Sequence, residues 1–475
     1  MRYFGASSVF SLALTVLARV RSDVKFSLPP IDVPLSTEME PADFHGSCNC
    51  TITKSMVEKS VTLYINSLHK LYPFLDAQLL AADFETYWDI QSNGPDPSAL
   101  RGQDAHRFFR IKIIAAIASA SRARHNASRI ACDHGCYLEA TKCIAEVTSE
   151  VSTDSLRALM LLIVYCLFRP RKGDIWRLLD YACRLCLELG FHTEPDSEVP
   201  MAEREQRRNI FWSLYVLERI VCQLFGLPSD FPESIITAEY PTSDLAFTSG
   251  EEMESHFAIQ HYRLVSIRSR LFSEMYLTEA GASHDMSWYH ERLATINTWY
   301  IKTQEVVAPV GVGQLTCSVA FHSTILFLFQ PLVTQTLRRT QEPSRDQFIP
   351  AEVLLSAGRL IQVYESVLRA PRESDLGMYP MTFMSAHHIY MASMMMMAYC
   401  IFYLDGHVSF PRMIPNPTYV EETAKIDLDH LLTLSNSCLI LLAFCAEKWP
   451  GMSGMRDTYR QLSDHILKKV LQMGT

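Results

Sequence analysis

The chain has 475 residues, 48% hydrophobic and 20% charged, a globular composition large enough for two lobes or one extended helical assembly. Lysine and arginine number 43 against 52 acidic residues, a net charge of −9, which argues against a body that grips DNA by itself, because phosphate neutralisation dominates such binding. The 13 cysteines are odd in number and mostly set in apolar helical runs, which argues for reduced, buried thiols and against a disulfide framework.

The opening stretch, residues 1–23, imitates a secretory signal: Arg2 precedes an apolar run from Val9 to Ala18. The sequons at Asn49 and Asn126 would suit that reading. Ser11 and Thr15 interrupt the run, and Arg19 and Arg21 follow it at once, so residues 1–23 are expected to be part of the folded body. A proline- and polar-rich connector at 24–54 carries Pro29, Pro30, Pro34 and Pro41. Ser55 with Glu58 predicts a capping box before a helix bearing Val61, Tyr64, Ile65 and Leu68, stopped near Pro73. Further helices are expected over Leu75–Ile90, from an Asp104 cap to Arg124, and over Ser128–Glu150. Residues 155–168 read as a buried helix.

Two helices joined by a short loop follow, from Trp176 to Pro228. The first has Asp174 as its expected N-cap and Gly190 as its stop. Trp176, Leu179, Cys183, Cys186 and Leu187 share one face, while Arg177, Asp180, Arg184 and Glu188 form a charged stripe opposite. The second helix runs from Ala202 to Phe225, with Glu203 and Glu205 near its positive end and Gly226 and Pro228 ending it. Ile210, Leu214, Leu217, Val221 and Leu224 make its core stripe. Beside them lies a second stripe of Arg208, Trp212, Tyr215 and Arg219. As structure, these arginines flank aromatic faces and pair with buried carboxylates or carbonyls; as function, they would line an effector pocket.

After a loop reaching Pro241, helical patterns span 251–277, 284–307, 314–338, 350–370, 381–404, 420–448 and 454–472. No strand alternation or fixed-period repeat stands out, so the expected fold is all-α, a large assembly of antiparallel packed helices. A core domain is expected over 55–338, continued by a helical part over 350–475. The apolar runs at 158–168, 391–404 and 431–446 fall short of a membrane span of about 20 residues, so no membrane partner is expected.

Candidate chemical sites are weak. Cys183 and Cys186 have redox spacing, but they lie well inside a helix on its apolar face, where a thiol is not activated. Cys132, His134, Cys136 and Cys143 lack the paired arrangement of a structural zinc site, and no six-cysteine array occurs. His387 and His388 point about 100° apart on a helix and make poor co-ligands. Met394–Met397 read as core or as an adaptable binding surface. Arg169, Arg171 and Lys172 read as a solvated turn. Gly311-Val-Gly313 lacks a dinucleotide fingerprint, and residues 451–454 lack nucleophile-elbow spacing. No catalytic residue, metal ligand or cofactor site is identified, and an enzyme is not expected.

The run W-x-L-L-x-Y-A-x-R-x-C-x-E-L-G-F-H, then E-x-E-x-R-R-x-x-F-W-x-L-Y-V-L-E-R, then G-L-P, resembles the fungal-specific transcription factor domain, the middle homology region of regulators that bind DNA through a binuclear zinc cluster. The matching residues are Trp176, Gly190, His192, Arg207, Arg208, Phe211, Trp212, Arg219, Gly226 and Pro228. Glu218, Leu227 and Phe191 stand where the family often has Asp, Arg and Leu. The opening Arg2-Tyr3-x-Gly5-x-Ser7-Ser8 also resembles the segment that leads into this domain. The resemblance implies a nuclear regulatory domain that restrains or licenses transcription, through co-regulators or the transcription machinery, a small-molecule effector, or a homodimer. It implies DNA contact only through a separate or missing module, with zinc confined to a cluster expected upstream of Met1. The alternatives are an all-α sensor without DNA binding and a secreted helical protein.

Overall fold

The computed structural model describes residues 5–21, 53–93, 95–122, 128–170, 175–242, 257–277, 284–307, 311–338, 349–371, 374–409 and 428–474. Asn49 and Asn126 of the sequons, most of the connector, Cys48, Cys50, Asp174, Arg171 and Lys172 lie outside them. The regular structure of the described residues is helical, with no strand among them, as the patterning requires.

Seven helices make the first half: α1 (Val9–Arg21), α2 (Lys54–Tyr64), α3 (Ala77–Asn93), α4 (Gly102–Arg122), α5 (Ser128–Thr141), α6 (Ile144–Val147) and α7 (Thr153–Phe168). α4 is buried without interruption from Phe108 to Ala120, because α2, α3, α5 and α7 enclose it. Lysine and arginine inside such a helix need partners. Arg110 therefore pairs with Asp83 and Asp154, and Lys112 lies over the rings of Phe108 and Tyr87. α7 is buried from Ser155 to Phe168, matching its unbroken apolar run.

Ten more helices follow: α8 (Ile175–Glu188), α9 (Met201–Phe225), α10 (Phe257–Phe272), α11 (Met286–Val306), α12 (Val312–Arg338), α13 (Ala351–Arg369), α14 (Asp375–Met378), α15 (Phe383–Leu404), α16 (Leu428–Lys448) and α17 (Ser453–Gly474). α12 and α15 form the centre of this half, packing on each other and both on α13. α1 lies across α12 and α15, burying Leu12 and Val16 completely. Trp449, just after α16, donates its indole N–H to the Phe168 carbonyl at 3.0 Å, tying the last helices to α7. One hydrophobic cluster accordingly runs from Val9 to Val470. Met394–Met397 are fully buried in it.

Several local expectations change. Thr53, not Ser55, caps α2, because its hydroxyl accepts from the Met56 amide and leaves Ser55 inside the first turn. α2 then widens into a π-helical turn at Ile65–His69. α4 starts at Gly102, with φ of 54°, so Asp104 lies in the first turn near the positive helix end and is not the cap. The helix read over 128–150 breaks after Thr141. α12 and residues 429–448 are long and apolar enough to cross a bilayer by length and composition, contrary to the expectation from shorter runs. In this fold 72% and 50% of their most apolar windows are buried among other helices.

The packing of α1 sets one test. Leu12→Ala should cost about 2–5 kcal/mol in denaturant unfolding, as expected for a fully buried leucine. Leu14→Ala, at 57% exposure on the same helix, should change stability by less than about 0.5 kcal/mol. Equal shifts would show that α1 is not packed into the core.

Candidate functional site

α8 and α9 end alike. At Gly190 (φ 73°), the Phe191 amide bonds to the Cys186 carbonyl at 3.1 Å and the Gly190 amide to Leu187 at 3.0 Å. At Gly226 (φ 69°), the Leu227 amide bonds to Cys222 at 2.9 Å and the Gly226 amide to Gln223 at 3.2 Å. Both are left-handed stops that favour glycine. Gly226 carries a second constraint: a Cβ there would fall 2.7 Å from the Gly5 Cα, because the chain before α1 crosses it and donates the Gly5 amide to the Phe225 carbonyl. Pro228, exposed, has no amide with which to continue the helix.

The charged stripe of α8 faces solvent, with Arg184 bonding to Asp180 at 3.0 Å. Trp176 is half-buried, whereas Leu179, Cys183 and Cys186 are buried. Burial pushes the Cys183 thiol well up and Cys186 to about 12, which leaves both as unreactive thiols at neutral pH. Cys143 donates to the Pro97 carbonyl, and among the described residues no group of three His, Cys, Asp or Glu side chains gathers as a metal site.

The second stripe of α9 lies beneath residues 228–242. The His192 carbonyl accepts from the amides of Thr237 and Ala238 at 3.0 and 3.1 Å, docking that segment beside the helix pair. Arg208 pairs with Glu205, Glu194 and Glu239. Trp212 donates its indole N–H to the Glu239 carbonyl at 2.9 Å and stacks on Tyr240 at 4.3 Å. Phe211 meets the Phe231 ring edge-on at 5.6 Å. Tyr215 donates to Glu233 at 2.7 Å, and the Arg219 guanidinium lies over the Tyr215 ring at 4.6 Å. Arg219 also reaches Glu218, Glu233 and the Phe231 carbonyl. Arg207 takes a more exposed role, pairing with Glu203 and lying over Phe191.

Two fully buried carboxylates finish the clamp. Glu205 accepts from the Thr242 amide and hydroxyl at 2.8 and 2.7 Å. Glu218 accepts from the Asp230 amide at 2.8 Å and from the Cys222 thiol at 3.0 Å. Burial alone would lower the Arg219 pKa, but Glu218, Tyr215 and Glu233 outweigh it and raise it. Burial likewise works to raise Glu233, yet the bonds from Tyr215, Arg219 and Ser269 hold it below the ordinary 4.5. The stripe thus binds its own chain. Glu205 and Glu218 carry as much of the arrangement as the arginines, and their only sequence signal is a carboxylate three or one residue before an arginine.

Open space lies elsewhere. A cavity of about 80 Å³ sits where the end of α2, α7, α9, α10, α12, α13 and the start of α15 converge. His261, Arg268, Ser323, Thr316 and His388 supply part of its polar wall, with Tyr364, Tyr379, Thr382 and Ser385, and Leu71, Leu264, Val265 and Met384 supply much of its apolar one. A second cavity, of about 30 Å³, shares Arg268, Ser323 and His388 with the first and adds Gln223 and His387. None of the four residues of the α9 stripe lines either. Sequence reading missed Arg268 because nothing local separates it from Arg263 and Arg270 on the same helix.

The described residues thus form an all-α body with a motif clamped onto its own chain and cavities set apart from that motif. The chain belongs to the family described as the fungal specific transcription factor domain, whose pattern matches residues 61–300, half of its length. It is 38% identical to the pyrimidine pathway regulatory protein 1 of Saccharomyces cerevisiae over 107 residues, covering 22% of this chain and 12% of that protein. It is 27% identical to the Protein STB5 of the same yeast over 206 residues, covering 40% and 26%. It is 20% identical to the transcriptional activator protein acu-15 of Neurospora crassa over 338 residues, covering 66% and 34%. The chain therefore spans about a third or less of the length of each of these relatives.

The two glycines separate strain from contact. Gly190→Ala meets no close atom and should cost about 1 kcal/mol from its φ alone. Gly226→Ala adds a backbone clash with Gly5 and should cost clearly more in the same unfolding assay. Trp212→Ala should cost about 3–5 kcal/mol, against under about 0.5 kcal/mol for the exposed Arg177→Ala. Acid should also loosen the clamp. Because the folded Glu233 pKa lies below 4.5, its contribution is complete above that pH and is lost as pH falls through the lower folded value. A thermal unfolding series should show a shallower loss below 4.5 for Glu233→Gln than for the parent chain.

Proposed function

We propose that this chain is the regulatory body of a fungal transcription regulator, acting in the nucleus, with DNA contact and any zinc cluster supplied outside the residues described here. The family match across residues 61–300 carries this reading. The relatives' names, a pathway regulatory protein and a transcriptional activator among them, support it. The net charge of −9 supports the division of labour, because a surface short of cations gains little from releasing phosphate counterions. The body would signal through co-regulators or the transcription machinery, and its interior chamber offers a place for a small-molecule effector. That chamber also favours the second reading, a sensor that never meets DNA.

Fusion of the chain to a heterologous DNA-binding module in a fungal reporter strain distinguishes the two. The regulatory reading predicts altered transcription relative to the module alone, in either direction, and nuclear fluorescence of a tagged chain. An unmoved reporter would favour the sensor. In a mobility-shift assay near physiological salt, the unfused chain should bind DNA weakly and without sequence preference. Sequence-specific binding at nanomolar protein would contradict the proposal.

A further inference from the structure

We infer that the two adjoining cavities form one chamber that binds a small organic carboxylate, with the Arg268 guanidinium receiving its charged end. The binding stands on the geometry alone; its regulatory meaning rests on the function proposed above.

Arg268, half-buried between helices, differs from the arginines that are fully buried among the described residues. Arg110, Arg157, Arg208 and Arg219 each have a carboxylate within ion-pair distance. Among the described residues Arg268 has only neutral partners: its Nε donates to Gln223 Oε1 at 2.8 Å, its Nη1 to Ser323 Oγ at 3.3 Å, and its face covers the Phe327 ring at 4.6 Å. Burial pulls its pKa down to about 10, so it still carries its charge at neutral pH. An interior charge without a counterion is costly, and a bound anion removes that cost. Arg268 and His388 keep partial surface although helices surround them, and both line the two cavities.

Beyond Arg268, the residues that line the chamber supply N–H groups from Gln223 and the histidines, and none of them is a carboxylate. The Gln223 side-chain nitrogen is buried and without a partner, since its oxygen is taken by Arg268. The His261 and His387 Nδ1 atoms are likewise buried and unpartnered, at 6% and 4% residue exposure. Burial lowers His261 to about 4 and His387 and His388 to about 3, leaving neutral rings that each carry one N–H. The hydroxyls of Thr316, Ser323 and Thr324 donate to their own helix.

This donor set favours a monovalent planar anion. Gln223 and Phe327 fix the Nε edge and the face of the guanidinium, and its Nη edge reaches Ser323, a residue common to both cavities. A carboxylate matches such an edge with two parallel bonds. No lysine and no second arginine lines the chamber, so a phosphate dianion would leave charge uncompensated. Leu71, Leu264, Val265 and Met384 would receive the acid's hydrocarbon part.

The test uses the full chain at constant ionic strength, with acetate, butyrate, hexanoate and benzoate as probes and butyramide and inorganic phosphate as controls. Calorimetry and thermal unfolding should show binding by at least one acid and none by butyramide. Arg268→Met should weaken that binding roughly 10- to 100-fold, the loss of charged hydrogen bonds. If that variant does not fold, Arg268→Lys keeps the charge, loses the fork and should still weaken binding measurably. The inference is overturned if no acid binds, if butyramide binds as well as butyrate, if phosphate binds best, or if the foldable Arg268 variant binds like the parent. A chain that moves the tethered reporter but binds no acid defeats this inference alone. One that binds acids through Arg268 but leaves the reporter unmoved defeats the regulatory reading alone.

Discussion

Arg219 and Glu218 are adjacent on α9, both essentially inaccessible, and a salt bridge of 2.8 Å joins them. Two charges placed so deep must be answered in full, because breaking a buried pair typically costs about 3–5 kcal/mol. The answer comes from residues 229–233: the Asp230 amide and the Ser229 hydroxyl turn to Glu218, while the Phe231 carbonyl and Glu233 turn to Arg219. About three helical turns earlier, Glu205 and Arg208 repeat the device with Thr242, Glu239 and Glu194. The path of the chain after α9 is therefore dictated by electrostatics as much as by apolar packing. Glu205 and Glu218 oblige residues 228–242 to return across the helix that carries them.

That constraint explains why the family motif looks functional in sequence yet contains no open site. Large aromatics, paired arginines and glycine stops are the residue types that line ligand pockets, and they are also what a polar clamp requires. The hydrogen bonds and ion pairs of Arg208, Trp212, Tyr215 and Arg219 make them a brace between α9 and the segment after it. The chamber forms behind the brace, where α10 and α12 approach the start of α15. Ile220 and Gln223, in the last turns of α9 just beyond Arg219, reach its walls. Brace and chamber thus share one helix.

Much of this was legible in the sequence because it depends on local rules. Helical periodicity located nearly every long helix, and Gly190 and Gly226 announced their left-handed stops. The exposed charges of α8 and the unreactive Cys183 and Cys186 followed from which face each occupies. What depended on distant partners was not legible. The Glu205 and Glu218 burial is set by amides 12 to 37 positions away. The crossing of Gly226 by Gly5 joins parts of the chain that no local pattern connects. Arg268 looks like any surface arginine until α12 supplies Ser323 and Phe327 beside it. Membrane-length α12 could be assigned to the core only once α1, α11, α13 and α15 were seen around it.

Hydrogen exchange on the Arg219→Met variant tests the clamp most directly. The amides of Asp230, Thr237, Ala238 and Thr242 should lose protection, since Asp230 and Thr242 bond to the buried acids and Thr237 and Ala238 to the His192 carbonyl beside the helix pair. The enclosed helix α4, remote from α9, should keep its protection. Unchanged exchange across 228–242, or an equal loss of protection in α4, would contradict the claim that the buried arginine–carboxylate network holds that segment in place.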